Sequence, residues 1–130
     1  MYRIEKKDYG FKLTFGGFIK ADEMTQWKAE SEKALAGANR KFGVLVDMRV
    51  LKPLPADAQA IMIDGQKGFK TKGLERSAVI LESSITTAQF RRLAKESGIY
   101  AWERYVSAGD TPNWEKVGVD WVTAGIDPDK

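Results

Sequence analysis

The sequence predicts a single α/β domain on one mixed sheet of about five strands with about four helices, and three observations lead there. Two opening segments alternate apolar with polar residues around a turn. Two later runs, 42–48 and 77–81, are apolar on both faces, as buried parallel strands are. The stretches between them repeat apolar residues at helical spacing. A chain of 130 residues suits one core. The domain is expected to occupy 1–126, and 127–130 to fray.

Residues 2–6 and 11–15 alternate, and Asp8-Tyr9-Gly10 between them has turn chemistry, so a β-hairpin opens the chain at the sheet edge. From Asp22, a candidate N-cap, Met24, Trp27, Ser31, Leu35 and Ala38 share a helix face, with Gly37 near its end. After strand 42–48, two prolines between Val50 and Pro55 mark a loop. Ala58, Ile61, Met62, Gly65 and Phe69 form the stripe of a second helix, expected to dissolve in the Gly and Lys rich stretch 65–73. Following strand 77–81, Thr86 with Gln89 three residues on reads as a capping box for a helix that ends at Gly98. An aromatic-rich strand is expected over 99–106. Thr111-Pro112 then reads as N-cap and first residue of a closing helix that presents Trp114, Val117, Trp121 and Val122 on one side. The order β-β-α-β-α-β-α-β-α requires right-handed crossovers and makes the later strands parallel neighbours.

Composition narrows the chemistry. Cysteine and histidine are both absent, which removes disulfides, thiolate nucleophiles, zinc bound by Cys or His, and the imidazole base. Catalysis would fall to carboxylates, Lys, Arg, Tyr or hydroxyls, and a metal would be a hard, oxygen-bound ion such as magnesium. No cofactor is called for. The 21 basic and 18 acidic residues give a net charge of only +3 and are interspersed, so no clustered footprint for nucleic acid is present. No apolar run nears the roughly 20 residues of a spanning helix, and the N-terminus lacks a signal-like apolar stretch. No membrane insertion and a cytoplasmic location are the expectations.

Ligands of parallel α/β sheets gather beyond the carboxyl ends of the strands. That rule selects Asp47 and Arg49 after one strand and Glu82, Ser83 and Ser84 after the next. Two carboxylates there could hold magnesium or exchange protons, with Arg49 orienting an anion. The plainer account is an Asp47–Arg49 ion pair and a loop that leads into a helix. Gly68-Phe69-Lys70-Thr71 is no phosphate loop, because it leads from helix to strand, and Gly16-Gly17 reads as a tight turn. Trp27, Trp102, Trp114 and Trp121 with Phe90, Tyr100 and Tyr105 are core, or else line an apolar ligand pocket or a dimer face.

Residues 42–49 (FGVLVDMR), 74–81 (LERSAVIL), Tyr105-Val106 and the closing helix ending Asp120-Trp121-Val122 resemble the SpoIIAA-like group, the anti-sigma factor antagonist or STAS-type domains. The resemblance implies a superhelical β-α fold, shared with lipid-carrying CRAL-TRIO domains, and a non-enzymatic role in binding regulatory proteins. In well-studied members of that group a Ser at the start of the helix after the third strand is phosphorylated. Here no Ser, Thr or Tyr occurs from Met48 through Lys70, and the helix start reads Leu54-Pro55-Ala56-Asp57. A phosphate switch at that helix start is chemically impossible, and Asp57 supplies a fixed negative charge close by. Its plainer role is a helix-dipole carboxylate worth about 0.3–1 kcal/mol. The resemblance also places the helices mainly on one face, so a second copy, a homodimer, would cover the other. The leading expectation is thus a binding module for a protein partner. A carrier of an apolar small ligand is the alternative, followed by a magnesium-assisted hydrolase on Asp47 and Glu82.

Overall fold

The alternating N-terminal residues form the hairpin in the computed structural model, which describes residues 1–130. Strands β1 (Tyr2–Lys7) and β2 (Gly10–Gly17) pair antiparallel, from Tyr2 opposite Phe15 to Lys7 opposite Gly10. Only β1 is an edge. β2 pairs in parallel on its other side with β3 (Phe42–Leu51), and β4 (Leu74–Leu81) and β5 (Glu103–Ser107) extend the parallel run, in spatial order β1-β2-β3-β4-β5. Leu45 lies beside Ala78 and Asp47 beside Ile80, so the two apolar runs point the same way and end on one rim.

Three helices, α1 (Ala21–Leu35), α2 (Ala56–Lys72) and α3 (Ser84–Ser97), cover one face. With the sheet they enclose a core of 23 buried residues that includes Phe11, Leu13 and Phe15 of β2 and the alternate residues Val44, Val46 and Met48 of β3. The last helix, α4 (Trp114–Ala124), lies on the opposite face, where Trp121 and Val122 close a six-residue cluster with Leu45, Ala78, Ile80 and Val106. Its approach depends on Gly118, where a Cβ would lie 2.6 Å from Leu45 Cδ1. The need for a second copy to cover this face is therefore met over β3 to β5 by the chain itself. Over β1 and β2 the same face carries Arg3, Glu5, Lys12 and Thr14, which ask for no apolar cover.

Several element ends differ from the sequence expectation, each for a local reason. α1 begins one residue ahead of Asp22, with Lys20 at the N-cap position, and the Asp22 carboxylate accepts from the Glu23 amide at 2.9 Å. α2 does not dissolve at Gly65 but runs to Lys72, because the Trp27 indole occupies the space a side chain at 65 would need. Packing there outweighs the roughly 1 kcal/mol helix penalty of Gly. α3 is capped by Ser83, whose hydroxyl accepts from the Thr86 amide at 3.2 Å, and not by Thr86. Thr86 is fully buried in the first turn, and Gln89 clamps the Leu54 backbone, accepting from its amide at 2.8 Å and donating to its carbonyl at 3.0 Å. β5 starts at Glu103, four residues late, since Tyr100–Trp102 form a 3-10 turn behind the end of α3. Pro112 lies in a turn, and α4 starts at Trp114. In the tail expected to fray, Asp127 takes the Arg104 guanidinium on both oxygens, at 2.9 and 3.1 Å. No helix is long and apolar enough to cross a membrane.

Candidate functional site

The carboxyl rim of β3 and β4 brings Arg49, Glu82 and Ser83 into one shallow groove with Val50, Lys52 and Ile85. Asp47 lies one step inside the sheet and is spent on Arg49. Residues two apart on a strand share a face, and here the guanidinium donates from Nε to Oδ1 and from Nη2 to Oδ2, both at 3.0 Å. The Arg49 amide adds a third bond to Oδ1 at 3.1 Å. Burial pushes the Asp47 carboxyl up, but the hydrogen bonds and charge of Arg49 outweigh it and hold the group below the usual aspartate value. The guanidinium in turn stacks over the Trp114 ring of α4 at 4.2 Å, and Lys12 meets Glu115 beside it at 3.0 Å. Both Asp47 oxygens are thus engaged by Arg49 and the carboxylate is less basic than an ordinary aspartate, and no group of three or more acidic side chains converges in the chain.

The remaining sequence candidates are more scattered. Ser83 is a helix cap. Ser84 opens a neighbouring hollow with Glu82, Thr87, Arg91 and Asp110. Asp57 stays apart from the groove in the first turn of α2, where its carboxylate accepts from the Ala58 amide at 2.8 Å. Its place there matches the helix-dipole account.

Two features of the site escape the sequence. The first is a bulge in β3. Thr14 pairs with Asp47 and Gly16 with Val50, so three steps on β3 oppose two on β2. Met48 and Leu51 are buried, whereas Arg49 and Val50 both turn outward, Val50 over Gly16 where a Cβ would crowd its methyl at 2.9 Å. Bulges re-aim side chains in this way. Val50 is left 68% exposed, and Phe18 and Ile85 stand at 68% and 70% on the same rim, as the most exposed large apolar residues of the chain. The signal in the sequence is weak, because the run before it is already apolar on both faces and a consecutive Val50-Leu51 does not stand out from it.

The second is a polar cluster inside the larger core. Ser77 of β4 and Glu103 of β5 are register partners and face α1 to α3. The Ser77 hydroxyl donates to Glu103 Oε2 at 2.7 Å and the Tyr105 hydroxyl to Oε1 at 2.6 Å. Burial without a cation pushes Glu103 up to about 7, against the lowering effect of those two hydrogen bonds. Next to it lies a cavity of about 40 Å³, walled mostly by apolar side chains and by Gln66, whose amide oxygen accepts from the Ser97 hydroxyl at 2.7 Å. A void of this size has room for a few waters.

No family model matches the chain, and neither a curated protein nor a solved structure matches it.

Proposed function

We propose that the chain is a non-enzymatic binding module of the STAS type that docks a protein partner on the bulged rim of β3. One observation carries this reading: Phe18, Val50 and Ile85, which burial would otherwise claim, stand exposed on the edge where ligands of parallel sheets gather. Around them Arg49 is already neutralised by Asp47, while Lys52 makes no ion pair. The partner this surface fits offers an apolar side chain with a carboxylate near it. The absence of a phosphorylatable residue at the start of α2 makes the module constitutive at that point.

Cross-linking mass spectrometry on the whole chain in its own cells tests the proposal. The expected result is one recurrent protein cross-linked through Lys52 and Lys20, lost in a Val50→Asp, Ile85→Asp double variant that melts like the parent. Cross-links that persist in that variant, or that map to β1 and α1, would contradict it.

The internal cavity supports a second reading, carriage of an apolar small molecule. At about 40 Å³ it is far below the roughly 300 Å³ of an ordinary ligand pocket, so that reading requires α2 and α3 to part from the sheet. Native mass spectrometry of protein purified from its own cells checks it, and ligand-free material throughout would remove it.

A further inference from the structure

The Tyr105 hydroxyl has two acceptors and one proton. It lies 2.6 Å from Glu103 Oε1 and 3.3 Å from the Phe90 carbonyl of α3. It can donate to only one of them at a time. Which one it serves is decided by whether Glu103 carries a proton. An ionised carboxylate accepts only, so it accepts the hydrogen bond that the tyrosine hydroxyl donates. A protonated carboxyl can donate to the phenol oxygen, which frees the tyrosine proton for Phe90.

We propose that Glu103 and Tyr105 form a two-state proton switch that ties β5 to α3 through the Phe90 carbonyl when Glu103 is protonated and releases that tie when Glu103 is ionised. No bond other than hydrogen bonds changes. The proton gained by Glu103 comes from solvent, and the tyrosine keeps its own while turning it.

The surroundings suit such a device. Glu103 is 5% exposed and faces no cation. From β4 it meets Ser77, and Gln66 of α2 and Trp27 of α1 share the cavity wall with it. The charged groups near the cluster address Tyr105 and its neighbours instead. Arg91 of α3 lies over the Tyr105 ring at 4.5 Å, Lys95 over Tyr100 at 4.8 Å, and Lys70 of α2 over Trp102 at 5.8 Å. Tyr100 is 6.5 Å from Tyr105, ring to ring. Arg104 points to the other face and is held by Asp127. Burial and the nearby carboxylate raise Tyr105 well above the tyrosine range, so it stays protonated and only its direction changes. The carboxyl that turns it changes charge at about 7. The cavity beside Glu103 gives water, and with it the proton, a place to reach the group. The switch stands apart from the docking reading, although the helix it ties also carries Ile85.

The test is a pH titration of the whole chain by NMR, following the Glu103 carboxyl carbon, the Tyr105 ring carbon bearing oxygen, and amide exchange along α3. The expected result is a Glu103 midpoint near 7 that the tyrosine signal shares. Protection in the middle of α3, corrected for intrinsic exchange, should fall about fivefold through the same midpoint, as for one ordinary hydrogen bond. Tyr105→Phe should keep a Glu103 titration and lose the response of α3. A Glu103 midpoint in the ordinary carboxylate range overturns the proposal. So does α3 protection that is flat through the Glu103 midpoint, or a response that survives in Tyr105→Phe. If that variant fails to fold, the titration of the parent chain decides by itself.

Discussion

The two faces of the sheet bury carboxylates by opposite means. On the α4 face, beneath and beside the helix, guanidinium groups meet both a carboxylate and an aromatic ring. Asp47 holds Arg49 against Trp114, while Arg104, gripped by Asp127, and Arg76 both lie over Trp121, at 4.3 and 5.8 Å. On the face covered by α1 to α3, Glu103 has two hydroxyls and no cation. A cation lowers a carboxyl below its usual range, whereas burial with hydroxyls alone leaves it raised. The difference teaches that one sheet can keep a fixed charge on one side and a charge that changes near neutrality on the other.

The largest expected effect is on the α4 face. Trp121 is buried, anchors two guanidinium groups, and donates from Nε1 to the Ser77 carbonyl at 3.0 Å. Trp121→Ala should cost about 4 kcal/mol in urea unfolding, and a loss under 1 kcal/mol would show that α4 is a loose cover. Next comes the pH dependence of stability on the other face. Glu103 is raised in the folded chain, so between its unfolded value of 4.5 and about 7 the folded state holds a proton that the unfolded state has released. Stability should therefore fall as pH rises through that window, by about 3 kcal/mol at 1.4 kcal/mol per unit. Glu103→Gln should flatten the fall and be more stable than the parent at pH 8. A parent curve that is flat from pH 5 to 8 would break the comparison.

A smaller effect attends Arg49→Gln. Because the pair is partly exposed, its loss should cost about 1 kcal/mol or less near neutral pH. The sign is opposite to that of Glu103. Asp47 is held low when folded, so its stabilisation is present above its unfolded value and lost as pH falls through the folded one. The variant should therefore lose acid sensitivity as well as stability, and an unchanged acid limb would contradict the assignment. The smallest effect is at the rim, where Val50→Asp should change stability by no more than about 0.5 kcal/mol. A large destabilisation would mean that the exposed Val50 packs after all.

Much of this arrangement is legible in the sequence. Apolar runs at 42–48 and 77–81 gave away adjacent parallel strands, and the i, i+2 spacing of Asp47 and Arg49 on one strand made their ion pair readable. The two decisive features were not. A bulge depends on the pairing of two strands, and residues 48–51 carry no Gly, Pro, Asn, Asp or Ser to announce it. Glu103 sits in an aromatic-rich run beside Arg104, and only the register that sets it against Ser77, 26 residues away, makes it buried and cationless. The side on which α4 packs was equally hidden, because its apolar stripe fits either face. Gly118 is the local adaptation to the face it takes.

The most direct measurement is a single carboxyl-carbon NMR titration of the parent chain that reads both faces together. Asp47 should titrate below the usual aspartate value and Glu103 near 7. Both groups titrating together in the ordinary carboxylate range would contradict the division of charge between the two faces.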